Sequence, residues 1–339
     1  MKKGITIVGS LILDKHYRVD AFPSESTLST IQLGNEYIGG AGNLILDLAK
    51  IDSEFQIKTC GMIGSGPNGD TILEGLKAYP NINTDGIVYG DNTSITLVID
   101  AQNNKSRTFF YYPGASDEFS IDDINWDLID SDIFQLEYLL LLKKIDAIDK
   151  EYGTIAARIL CEAKKRGFLT SVDMVSEKGP RASALVPFAL KYTDFCTINE
   201  IEAQEITGQE IIVEGNISTL KIISALKILK KMGVSKWVII HNSKYSIGLD
   251  CETNEIYKVP SLNIPKDIII GTTGAGDAFC SGVLYSVYQG KNILDAMKFA
   301  SATAGCSLFA YDGSSSMCDY KSIIKLYDKY KYEVEYEKI

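Results

Sequence analysis

Short β-branched, apolar runs alternate with stretches of helical period along most of this chain, and that alternation restricts the fold more than any other feature. Ile5-Val8, Gln56-Met62, Ile133-Leu136, Phe168-Asp173, Phe195-Ile198 and Trp237-His241 read as buried strands. Asn43-Ile51, Asp70-Ala78, Ile155-Arg166, Leu220-Met232, Ala278-Tyr288 and Leu294-Ala304 read as the helices between and after them. Strands buried on both sides and separated by helices predict an α/β fold. Its central, mostly parallel β-sheet is flanked by helices on both faces.

Two stretches depart from the pattern. Thr93-Asp100 and Ser106-Tyr112 are β-rich and are separated by the polar Ala101-Gln-Asn-Asn-Lys105, the signature of an antiparallel hairpin. The stretch Leu11-Tyr37 is long, polar and poor in helix signals. A small projecting β-sheet built from these segments, approximately 11–37 and 93–112, would be inserted in a single domain spanning 1–339. No repeat, linker or low-complexity tract argues for a second domain.

Bulk properties narrow the functional classes. The net charge of −10, from 44 acidic against 34 basic residues, provides no basic field for nucleic acid or an anionic membrane, so neither is expected as a partner. Any phosphate must be held by a local device. Gly9, Ser10 and Asp14 end the first apolar run too early for a secretory signal or a membrane span, so a cytoplasmic location is expected. The 7 cysteines are scattered without a CxxC pair and are expected as reduced thiols. With only His16 and His241 present, histidine metal clusters and Ser-His-Asp triads lack material.

The densest local signal is Gly271-Thr-Thr-Gly-Ala-Gly-Asp-Ala-Phe279 at the start of an amphipathic stretch. Small residues there leave the amides of Gly274, Ala275 and Gly276 open, and a helix N-terminus with open amides attracts an anion. Asp277 falls in the first turn, placed to take a proton from an attacking hydroxyl. The same letters also serve a tight turn followed by an ordinary acidic first-turn residue.

This segment resembles the C-terminal signature of the ribokinase-like (PfkB-type) carbohydrate kinases, commonly DTTGAGDAF. The resemblance implies an ATP-dependent kinase with Gly274, Ala275 and Gly276 as the anion hole and Asp277 as the catalytic base. Gly39-Gly40-Ala41-Gly42-Asn43 is similar to the family's N-terminal glycine motif, and Asp14 sits where the family binds sugar hydroxyls. Asp14, Gly39, Gly40 and Asn43 are therefore expected to bind substrate, with Arg107 of the hairpin as a further candidate. Asn199-Glu200-Ile201-Glu202 resembles the family's NxxE segment, implying that Asn199 and Glu202 organise the nucleotide and that Glu202 holds Mg²⁺ through water. The two irregular segments would form the family's β-lid, and with it a homodimer interface.

Two departures matter. Gly271 stands where the family usually has an aspartate that helps bind a monovalent cation, which leaves that cation open. No glycine lies between Gly233 and Gly248, where the family often turns against the purine. The acceptor is expected to be a ketohexose or pentose, with a nucleoside as the alternative and a vitamin-type alcohol behind both. Two readings of other classes compete. Gly64-Ser-Gly-Pro-Asn-Gly69, with Asp85 downstream, has the form of an NAD-dependent oxidoreductase fingerprint, although Pro67 removes an amide that would face the pyrophosphate. A sugar-sensing protein without catalysis would share the fold.

Overall fold

The computed structural model describes residues 3–103 and 106–339. Along the chain the main strands are β1 (Ile5–Gly9), β2 (Leu11–Val19), β3 (Ile31–Gly40), β4 (Ile57–Gly64), β5 (Ile82–Gly90), β6 (Ser94–Ala101), β7 (Ser106–Tyr112) and β8 (Ile133–Leu139). They continue with β9 (Leu169–Met174), β10 (Phe195–Asn199), β11 (Trp237–His241), β12 (Tyr245–Asp250), β13 (Ile256–Pro260) and β14 (Glu337–Lys338). The helices are α1 (Ala41–Ile51), α2 (Pro67–Lys77), α3 (Ile155–Lys165), α4 (Arg181–Leu190), α5 (Glu200–Thr207), α6 (Thr219–Met232), α7 (Ala275–Gln289), α8 (Ile293–Ser307) and α9 (Tyr320–Tyr330).

A 10-stranded sheet runs in the order β14-β13-β12-β11-β10-β9-β8-β1-β4-β5. From β11 to β5 every pairing is parallel. Beyond β11 the sheet is extended by antiparallel β12, β13 and β14. Alternation along β8 shows how both faces are filled. Phe134 and Leu136 join one core with residues of α3 to α6, while Ile133 joins the other with residues of α1, α7 and α8. The expected parallel sheet with helices on both faces is present.

The second sheet has 4 strands in the order β3-β2-β6-β7. β6 and β7 form the expected antiparallel hairpin, with Ile95 opposite Tyr112 and Val98 opposite Phe109. Residues 104 and 105 of its turn lie outside the described residues. The stretch Leu11-Tyr37 is largely strand, because β2 follows β1 after the single residue Ser10 and pairs with both β3 and β6. Its polar letters conceal a strand in which Leu11, Ile12, Leu13, His16 and Val19 are buried. Helix α2 begins at Pro67, one turn earlier than its apolar pattern predicts, since proline is accepted at a first helical position.

Phe134 is fully buried and stacks between Trp126 (5.5 Å between centroids) and Phe168 (6.4 Å). Phe134→Ala is expected to destabilise the protein by about 3–5 kcal/mol, because the sheet and α3 cannot collapse into the void. Chemical denaturation checks this, and a loss under about 1 kcal/mol would show that the site can refill.

Candidate active site

In open parallel sheets, ligands bind beyond the carboxyl ends of the strands. A cavity of about 630 Å³ opens there, lined by Tyr138 at the end of β8, Asp173 and Met174 of β9, Asn199 of β10 and His241 of β11. The second sheet contributes Asp14, Thr96, Val98, Phe109 and Tyr111, and the start of α7 contributes Thr272 to Asp277.

Helix α7 enters through Gly274, which is in the left-handed region (φ 73°) and supplies no side-chain cap. A Cβ on Gly274 would lie 2.2 Å from Gly313 Cα, so a glycine is required on both conformational and steric grounds. The amides that follow belong to a helix start and have no intrahelical acceptor. Asp277, one turn in, is buried. Its Oδ2 accepts from Asn43 Nδ2 at 2.9 Å, and its Oδ1 accepts from the hydroxyl of Tyr138.

Asp277 belongs to a tight acidic group. Glu137, Asp173 and Asp277 are all buried and bring one oxygen each within 4.8 Å of one another. Burial first, and then the charge of Asp277, raises the Glu137 carboxyl to about 8. Asp173 is held well above the carboxylate range by burial and by Glu137. Burial also raises Asp277, to about 6, but the Tyr138 and Asn43 donors oppose the shift. At neutral pH the charge of this trio therefore resides on Asp277.

Asp14 lines the same cavity as Asp277, and burial raises it to about 7. A Cβ on Gly39 would stand 2.1 Å from Asp14 Oδ2, so the glycine in β3 leaves space for the carboxylate. Gly40 and Asn43 line the same cavity at the start of α1. Asn199 and Glu202 form a reciprocal capping box at α5. Glu202 Oε1 accepts from Ser176 (2.7 Å) and from Asn199 Nδ2 (2.6 Å), and Oε2 accepts from the Asn199 amide (2.8 Å). With those bonds made, Glu202 has little capacity left for a direct metal bond but enough for one ordered water, which fits a hydrated Mg²⁺.

The structure thus brings Asp14, Gly40, Asn43, Asn199, Glu202 and Gly274 to Asp277 into one cavity, with Gly39 beneath Asp14. Arg107 stands apart from the cavity wall. Its Nε donates to Asp100 at 2.6 Å and its Nη1 to Thr273 Oγ1. The Gly64-Gly69 segment is absent from the cavity. A Cβ on Gly64 would lie 2.1 Å from the Thr93 amide, so this glycine serves packing at the base of β6. Asp85 bonds with Asn83 at the surface.

The sequence pattern of the pfkB family carbohydrate kinases fits residues 2–318. The chain belongs to that family. This carbohydrate kinase is 24% identical to the ribokinase of Arabidopsis thaliana over 331 residues, which covers 95% of the chain and 80% of the plant protein. Its fold matches the structure of Arabidopsis thaliana ribokinase complexed with ribose and ATP (TM-score 0.78, 22% identity, 96% of this chain and 99% of that one). The nucleoside kinase of Methanocaldococcus jannaschii is also similar (TM-score 0.73, 19% identity, 97% and 100% covered).

Tyr138, Asp173 and His241 are among the lining residues of the kinase that went unnoticed as site residues in the sequence. Tyr138 lies just past the apolar run Ile133-Leu136. His241 stacks on Phe279 (4.8 Å), and burial lowers it to about 4, so it faces Gly276 as a neutral ring. Because the Asp277 carboxyl ionises at about 6, a reaction that depends on its charge is expected to slow as pH drops below about 6. Tyr138→Phe removes a donor that favours the ionised form, so the acid limb of the kcat profile should move up by about one pH unit. A pH–rate profile checks both points, and an unmoved limb would exclude Tyr138 from tuning Asp277.

Proposed function

We propose that this kinase transfers the γ-phosphate of ATP to a hydroxyl of a small sugar, a ketohexose or pentose, with Asp277 as the general base. The observation that carries this reading is the position of Asp277: an ionised carboxylate in the first turn of α7, beside the amides of Gly274, Gly276 and Ala275, the last in a long 3.4 Å bond to the Thr272 carbonyl that a phosphate would displace. Those amides receive the charge of the transferring phosphoryl group without reorganising. Asn43 and Tyr138 hold the carboxylate still, so it meets the acceptor hydroxyl in one orientation. Asp14 accepts hydrogen bonds from neighbouring hydroxyls and sets which oxygen reaches Asp277.

Asn199 and Glu202 would hold Mg²⁺ through water, where its charge offsets that of the phosphates. The ribose and ATP in the similar plant structure support a pentose and ATP here. The chain is read as one kinase domain, 1–339, working in the cytoplasm.

Segments 11–37 and 93–112 act as the lid, with Phe109 and Tyr111 turned to the acceptor. Strand alternation turns Phe110 and Tyr112 to the opposite face, where they stand 52% and 50% exposed. An apolar lid face of this kind supports a homodimer through the lids. Phe110→Glu is expected to shift the protein toward monomer in light scattering, and an unchanged mass would reject this interface.

The reaction is tested by ADP release from Mg²⁺ and ATP across a panel of pentoses, ketohexoses, nucleosides and vitamin-type alcohols. Asp277→Asn should lower kcat by roughly 10²–10⁴-fold with little change in nucleotide affinity. Turnover near that of the wild type would remove Asp277 from the role of base.

A further inference from the structure

The phosphate-binding loop has a cation beside it that comes from the chain itself. Arg107, on β7 of the small sheet, donates through Nη1 to Thr273, the residue immediately before Gly274. Its Nη2 lies 3.2 Å from the point where a Cβ on Gly271 would stand. Asp100 fixes the guanidinium from behind through Nε at 2.6 Å, and the arginine side chain is only 19% exposed. The charge is thus anchored on two sides and largely withdrawn from solvent.

The surroundings do not suit a bound monovalent cation at this position. Gly271 offers no carboxylate, and a Cβ there would already lie 2.4 Å from the Ala310 carbonyl oxygen. The carboxylate of Asp100 is engaged by Arg107, and His16 Nδ1 lies 3.9 Å from it. A metal ion placed here would face a guanidinium at a few ångströms in a poorly screened setting, which is repulsive.

We infer that Arg107 takes the place of a monovalent cation beside the anion hole, so that this kinase needs no potassium. The inference rests on the kinase reading for its effect on turnover, but its effect on phosphate binding stands separately. Arg107 acts as a positioning residue. It orders Thr273 and adds positive potential to the helix start that receives the phosphates, as a guanidinium keeps its charge throughout the working pH range. Because the arginine is carried on the small sheet, this potential is supplied by the lid rather than by solvent.

The test uses the full chain, with K⁺, Na⁺ or choline as the cation at constant ionic strength. Calorimetry measures the affinity for the β,γ-methylene analogue of ATP with Mg²⁺, and ADP release measures kcat and KM with the best acceptor. Wild-type values should agree within about twofold between K⁺ and choline. Arg107→Gln should weaken the analogue by about tenfold and lower kcat, whereas Arg107→Lys, which keeps the charge, should recover part of the loss. Thermal melting verifies that each variant is folded. If Arg107→Gln does not fold, the wild-type salt comparison decides alone. Potassium raising wild-type affinity or kcat more than about fivefold over choline would overturn the inference. So would a folded Arg107→Gln that binds the analogue as tightly as wild type. If no acceptor yields ADP the kinase reading fails, while the calorimetric comparison still decides the role of Arg107.

Discussion

A hydrogen bond of 2.9 Å from Asn43 to Asp277 joins residues 234 positions apart and fixes how two helix starts meet. Asn43 belongs to the first turn of α1, which follows directly on β3, and Asp277 to the first turn of α7. The contact therefore brings the small sheet and the Gly274–Asp277 turn to one point. Gly313 closes the other side, since a Cβ there would lie 2.5 Å from Asn43 Oδ1. The loop that carries Gly313 also supplies Tyr311, over which Arg18 of β2 stacks at 4.6 Å. Parallel strands with helices on both faces give the platform, but these few contacts decide that the cavity has a fixed shape.

The parallel body was legible because its signal is local: the cores of Ile5-Val8 and Trp237-His241 are buried on both sides and read as mainly apolar, β-branched sequence. The edges were harder. Strand β5 contains INTDGIVYG, mixed in polarity because only Ile82 is fully covered at the sheet's end. Strand β12 turns back antiparallel on β11 through a short turn in which Asn242, not a glycine, accepts from the amides of Lys244 and Tyr245. An Asx turn of this kind needs no left-handed residue, so the missing glycine carried no information.

Within the site, the residues fixed by backbone demands were the readable ones. Gly274 and Gly39 are glycine for steric reasons, and Asp277 stands at a fixed distance from the first of them. Tyr138, Asp173 and His241 sit at strand ends, where nothing in the letters separates a cavity residue from a core one. Arg107 was legible as a candidate but not in its surroundings, since its partners Asp100 and Thr273 lie 7 and 166 positions away.

The crowding of acids around the cavity has a consequence for the folded state as a whole. Glu137, Asp14, Glu202 and Asp277 reach about 8, 7, 7 and 6, each above its unfolded value and each chiefly through burial. A carboxyl raised on folding binds its proton more tightly in the native protein. Its stabilising contribution is complete below the unfolded value, near 4, and is lost as pH rises through the folded value. Between about pH 4 and 8 these four groups push stability upward on acidification, against the common pattern in which ion-paired carboxylates resist acid. These carboxylates therefore weaken the native state at neutral pH, and ligands that bring hydrogen-bond donors or positive charge to them tighten the fold as they bind.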